Sequence, residues 1–335
     1  AGTVDINGGA VDGTTIGAAS ASTGAFTTLS ASSNVSFDGG TIKLDGNYPT
    51  GSNNVALGDT ALDDGSLSGG NNTALGHAAL TANTSGSFNV AVGADALLGN
   101  TTGEDNVAVG RGLYTNTTGD KNTAVGRSAL YSNTTADNNT AVGHSALFAN
   151  TTGGDNTAVG RNAADANTTA SYTTAFGAEA LTANTTGSGN VGIGRQALAA
   201  TTTGGANVAV GREALSANTT ASNNTAVGKD ALKANTTGAS NVGLGTQALT
   251  TATTANSNTA VGFQAGLSTT TGASNVAVGN AALQQNTTGA QSVAVGALAL
   301  DANTTGTLNV AVGDAASSAN TTASGNVSAV SYTHL

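Results

Sequence analysis

The sequence predicts an all-β chain, a parallel β-roll solenoid with one 17-residue repeat per coil. The first observation is a fixed period. The cassette Asn122-Thr123-Ala124-Val125-Gly126 returns sixteen times, its glycine falling at Gly58, Gly76, Gly93 and Gly110 and then every 17 residues from Gly126 to Gly313. A short constant period is the signature of a solenoid. The second observation is the pattern inside the cassette. Two residues before the glycine stands Ala in fourteen copies and Gly in two, flanked by Val or Thr on one side and Val, Leu, Ile or Phe on the other. That is the period of two expected of a strand. The third is composition: 48 Gly, one Pro, no Cys, no Trp and 8% charged residues among 335. So little aromatic and charged material cannot build a jigsaw core. Stability has to come from repeated backbone ladders between neighbouring coils.

Residues 1–50 lie outside the register and read as an N-terminal β-rich fibre segment. Its short β pieces, such as Asp12-Gly13-Thr14-Thr15-Ile16-Gly17, are separated by glycine turns, and Pro49 marks the junction. Residues 51–325 form the shaft of about sixteen coils. In each coil the cassette is the first strand, with Ala pointing into the thin roll and Val or Leu pointing away. The outward Val positions are Val92, Val109, Val125, Val142, Val159, Val210, Val227, Val261, Val278 and Val295. They are expected to form an interchain or core ladder. Both faces of the strand are apolar, which implies cover on both, and no other segment of the chain supplies it, so another copy of the chain is the expected cover. Three residues after most glycines comes Ala-Leu, as at Ala129-Leu130. The segment is too short to nucleate a helix, and it reads as a second strand with Ala inward. A polar turn, Asn-Thr-Thr-Gly or Asn-Thr-Thr-Ala, closes the coil.

The register has exceptions. The coil after Gly110 is one residue short, with Gly112-Leu113 in place of Ala-Leu. Ala163-Ala164, Ala265-Gly266 and Ala316-Ser317 lack the leucine. At 326–335 the repeat fails, with Val330 where glycine is due. The tail Ser331-Tyr332-Thr333-His334-Leu335 resembles translated sequencing-adaptor read-through. The expectation is a truncated repeat with a non-native tail, and a natural protein that continues beyond it.

The cassette with its turn, Asn-Thr-Ala-Val-Gly-x-x-Ala-Leu-x-x-Asn-Thr-Thr-Gly, resembles the head repeats of trimeric autotransporter adhesins and, more closely, the repeat arrays of phage and bacterial tail-fibre proteins. Asp12-Gly13-Thr14-Thr15-Ile16-Gly17 followed by Gly24-Ala25-Phe26-Thr27-Thr28-Leu29 is similar to a segment of phage tail fibres. The resemblance implies a left-handed parallel roll assembled as a homotrimer. It also implies an extracellular role, as the shaft of a virion or cell-surface fibre that presents a receptor-binding tip. The alternative it leaves open is a bacterial surface adhesin whose repeat face itself meets a surface or glycan. Neither the membrane-anchor barrel of the adhesins nor the self-cleaving chaperone domain of such fibres is found in these residues.

Chemistry is sparse. His77 and His144 occupy the slot after the glycine, which also holds Arg111, Arg127, Arg161, Arg195, Arg212 and Lys229. The next slot carries Asp95, Glu179, Glu213 and Asp230. A slot shared by His, Arg and Lys is a solvated corner rather than an acid–base pair. No nucleophile, base and orienting group come together, so no enzyme is expected. No cofactor is expected either. Gly153-Gly154-Asp155 is only a fragment of a calcium-binding roll repeat, so no metal is expected. A net charge of −10 without a basic stripe argues against nucleic acid, and no stretch has the length of a membrane span. Thr101, Thr117, Thr134, Thr151, Thr168 and Thr185 recur in register, as in ice-binding solenoids, but in a turn rather than on a flat face, and an ice-binding solenoid stands as a further alternative function. Asn-x-Ser/Thr, the N-glycosylation acceptor pattern, occurs at Asn83, Asn100, Asn116, Asn133, Asn150, Asn167, Asn184, Asn218, Asn235, Asn286, Asn303 and Asn320. As turn residues these asparagines are expected to face outward in a straight row. The same spelling also arises where Asn makes the turn and Thr follows for β propensity.

Overall fold

The structure, a computed structural model, describes residues 52–329. The N-terminal segment, the junction at Pro49, and Val330 with the tail to Leu335 lie outside the described residues. Seventeen strands of three residues run from β1 (Val55–Leu57) to β17 (Val327–Ala329). Each pairs in parallel with the strand one coil on, always in the same register. Between β5 (Thr123–Val125) and β6 (Thr140–Val142), Thr123 pairs with Thr140, Ala124 with Ala141 and Val125 with Val142. The chain is therefore an all-β parallel solenoid of about sixteen turns with a 17-residue repeat, and no helix occurs among the described residues. The ladder reaches one strand past Gly313: β17 pairs with β16 (Val310–Val312) although its repeat is imperfect.

The inward alanines are where the pattern put them. Ala74, Ala91, Ala108, Ala124 and Ala141 are fully buried. The second strand is not there. Ala-Leu lies in two consecutive turns, in which the Ala129 amide donates to the Gly126 carbonyl and the Asn133 amide to the Leu130 carbonyl. Ser128 and Leu130 take left-handed backbone, with φ of 63° and 49°. Leucine rarely does this, since the conformation costs about 1–2 kcal/mol. Burial decides the matter. Leu130 and its equivalents Leu80, Leu97, Leu147 and Leu215 are wholly buried and are the largest side chains of the core, and burying one leucine contributes roughly 1.5–3 kcal/mol.

The turn glycine has no substitute. Gly126 sits at φ 131°, and a Cβ there would stand 2.7 Å from the Gly143 carbonyl oxygen of the next coil. The short coil is absorbed nearby. Gly112 takes the inward Ala position because a Cβ would come within 2.9 Å of the Ala124 Cβ, and Leu113 keeps its buried place. Where Gly266 replaces leucine, Leu249 fills the gap, its Cδ2 lying 2.9 Å from where a Cβ would stand.

Candidate interaction surface

The sequon asparagines are interior, which overturns the outward row. Asn83, Asn100, Asn116, Asn133, Asn150, Asn167, Asn184, Asn218, Asn235, Asn286 and Asn303 are fully buried, and Asn320, in the last turn, is partly exposed. Asn133 shows why. Its Nδ2 donates to the Asn116 Oδ1 one coil back at 2.8 Å and to the Ala136 carbonyl at 3.0 Å, while its Oδ1 accepts from the Asn150 Nδ2 at 3.0 Å. A buried amide is affordable when every partner is supplied, and here stacking supplies them. Both Nδ2 hydrogens are engaged inside the roll, out of reach of a glycosyl donor in the folded coil.

Sequence reasoning assigned no role to a second buried file, the asparagine that opens fourteen of the sixteen cassettes, with Thr173 and Ser292 in the other two. Asn122 Oδ1 accepts from the Asn139 amide at 3.0 Å, and its Nδ2 donates to the same Ala136 carbonyl at 2.8 Å. In most coils two asparagine files thus converge on one carbonyl. The available signal was that Asn122 recurs with the strand, before a residue that needs no turn.

The strand face away from the core is the apolar surface. The valine ladder is in register there, but outside the core: Val125, Val142, Val159, Val210, Val261 and Val278 are half-buried, and Val92 likewise, while Val109, Val227 and Val295 are exposed. Leu57, Phe176 and Val312 continue the stripe at 51%, 55% and 45% exposure. The large-residue core role falls to the turn leucines instead.

One corner beside this face carries the ion pairs found among the described residues. Arg111 reaches Asp95 at 3.2 Å, Arg161 pairs with Glu179, and Glu213 meets Arg195 at 3.0 Å, Arg212 at 2.7 Å and Lys233 at 2.6 Å. The hydrogen bond from Lys233 holds the Glu213 carboxyl below the usual range, and the same bond raises the Lys233 amine. Gln196 first and Arg161 next lower Glu179. Next to the corner, Tyr114, Tyr131 and Phe148 stack one coil apart, with centroids 4.8 and 5.4 Å apart, and the Arg111 guanidinium lies 4.5 Å over the Tyr114 ring. His77 and His144 lie in this ion-pair corner, His77 beside Asp95 at 3.8 Å and His144 against the Ser145 hydroxyl. No group of three metal-binding side chains occurs among the described residues, and among them no helix is long and apolar enough to cross a membrane.

The first threonine of each turn is spent internally. Thr101 Oγ1 donates to the Thr117 carbonyl at 2.9 Å, and the bond repeats coil after coil through Thr304. The second threonine, from Thr102 to Thr322, is exposed in every coil. No protein-family model matches the chain, and no curated protein matches it.

Proposed function

We propose that the chain is the shaft of a virion or cell-surface fibre, an extracellular spacer that holds a receptor- or glycan-binding tip away from its anchor. In this reading three copies run in parallel as left-handed rolls, with their strand faces together. The observation that carries it is the half-exposed apolar stripe, unbroken along the sheet from Leu57 to Val312. Covering the exposed half of one valine contributes about 1 kcal/mol. Summed over about sixteen coils, that exceeds the roughly 4–15 kcal/mol that association costs. A stripe of this length without cover would also be an aggregation hazard. The resemblance to tail-fibre repeats supplies the role and the handedness.

The test is the mass in solution. Native mass spectrometry should find three copies of the 31.8 kDa chain. Val142→Asp places a charge in the middle of the proposed interface and should release smaller species, whereas Asn138→Asp, on an exposed turn, should not. A stable, folded, monodisperse monomer would remove the proposal.

A further inference from the structure

The second threonine of each turn shows a kind of constancy that the fold does not require. It is Thr in fourteen consecutive coils from Thr102 to Thr322, and Ser at the two preceding positions, Ser68 and Ser85. All sixteen are exposed. Along the next exposed file, three residues on, the repeat has diverged freely through Phe88, Asp105, Lys121, Asn138, Tyr172 and Leu308. Recent duplication would have kept both files alike. Within the fold only the backbone of the threonine is used: the Thr118 amide donates to the Thr134 carbonyl, while the Thr118 hydroxyl bonds to nothing among the described residues.

A ligand of irregular shape would specialise one or two coils. Constancy over fourteen coils points to a ligand that itself repeats along the axis. Successive hydroxyls stand about 4.8 Å apart, the spacing of neighbouring strands. They are too far apart to bond each other, but one water about 2.8 Å from each bridges a pair. Waters placed so would form a line, one per coil, at a repeat close to that between equivalent oxygens in ice. The adjacent first threonines have already donated their hydroxyls inward, so the file is flanked on that side by spent hydroxyls, and the file itself carries only Thr and Ser, without charge or ring. Polysaccharides are commonly recognised by aromatic stacking; the stacked rings of Tyr114, Tyr131 and Phe148 lie elsewhere on the coil, and the rings beside the file, Phe88 and Tyr172, stand far apart along it and form no platform.

We propose that the exposed threonine file from Thr102 to Thr322 is an ice-binding surface that orders water along the rod. The inference does not depend on the shaft reading, since it concerns a different edge of the coil. The experiment is partition of the purified full chain into a slowly growing ice front, read beside thermal hysteresis. The wild-type chain should concentrate in the ice. T169K/T186K/T203K should lose that enrichment and fall to the level of an unrelated soluble protein, with unchanged circular dichroism. T186Y blocks the file by bulk alone and serves if three lysines impair folding; it should reduce the hysteresis. S257K, on the variable file, should behave as wild type. Exclusion of the wild-type chain from ice overturns the proposal, as does full enrichment of a folded triple-lysine or tyrosine variant. Retention on crystalline cellulose without enrichment in ice overturns it in favour of a polysaccharide.

Discussion

Repairing the broken asparagine file should stabilise the array, and only when both gaps are closed. The file runs from Asn218 to Asn235, then meets Ala252 and Thr269 before it resumes at Asn286. Asn235 Oδ1 is consequently buried with no donor, because Ala252 stands where the next amide should be. An orphaned buried acceptor costs about 1–3 kcal/mol. Ala252→Asn alone supplies the donor but moves the orphan one coil on, to its own Oδ1, so the expected gain is small. A252N/T269N restores three amide-to-amide bonds, from 252 to 235, 269 to 252 and 286 to 269. Each contributes about 0.5–1.5 kcal/mol, for a total of about 2–4 kcal/mol. Urea unfolding followed by circular dichroism would read the single and double variants, and the coupling between the two sites is the diagnostic quantity. A double variant no more stable than A252N, or less stable than wild type, would refute the account of how the amides are satisfied.

Two further outcomes follow from the same geometry. Asn150→Ala strands the Asn133 Oδ1 and frees the Gly153 carbonyl, so it should destabilise by about 2–4 kcal/mol; an exposed turn asparagine would cost far less, and denaturant titration separates the two. Lys233→Gln removes the bond that lowers the Glu213 carboxyl and raises the Lys233 amine. The lowered carboxyl contributes stability above its unfolded pKa, lost as pH falls through the folded one. The raised amine contributes below its unfolded pKa, lost as pH rises through the folded one. The melting difference between wild type and K233Q should therefore be largest near neutral pH and shrink both below the usual glutamate range and above the usual lysine range; a difference that grows in acid would contradict the pairing.

The sequence carried the strand, its inward alanine and the turn glycine openly, because these depend on one coil at a time. Ala124 flanked by Thr123 and Val125 reads as a strand whatever lies above it. Asn133 did not read correctly because its burial depends on Asn116 and Asn150, which are distant in sequence. Judged alone, an asparagine next to Thr-Thr is a turn residue on the outside. Leu130 misled for a different reason. Its left-handed backbone is one that leucine seldom adopts, and only the buried space it fills makes that conformation the better choice. The free threonine file was visible as letters, but which of two adjacent threonines faced solvent was settled only by the bond from Thr101 to the next coil.

The unvarying register between strands has a consequence for how such a rod can change length. Each coil touches only the one before and the one after, and most present their successors with the same alanine, leucine and two asparagines. Cutting the gene between two coils that keep all four residues, and rejoining it at another such pair, leaves a junction the neighbouring coils already fit. Length can thus be gained or lost in whole units of about 4.8 Å with no contact left unmade. The coil between Gly110 and Gly126 is an exception in length. Its missing residue and its arginine over the tyrosine stack fit only their present neighbours. That coil works as a fixed mark on the ruler, from which any shortening or lengthening of the rod could be counted.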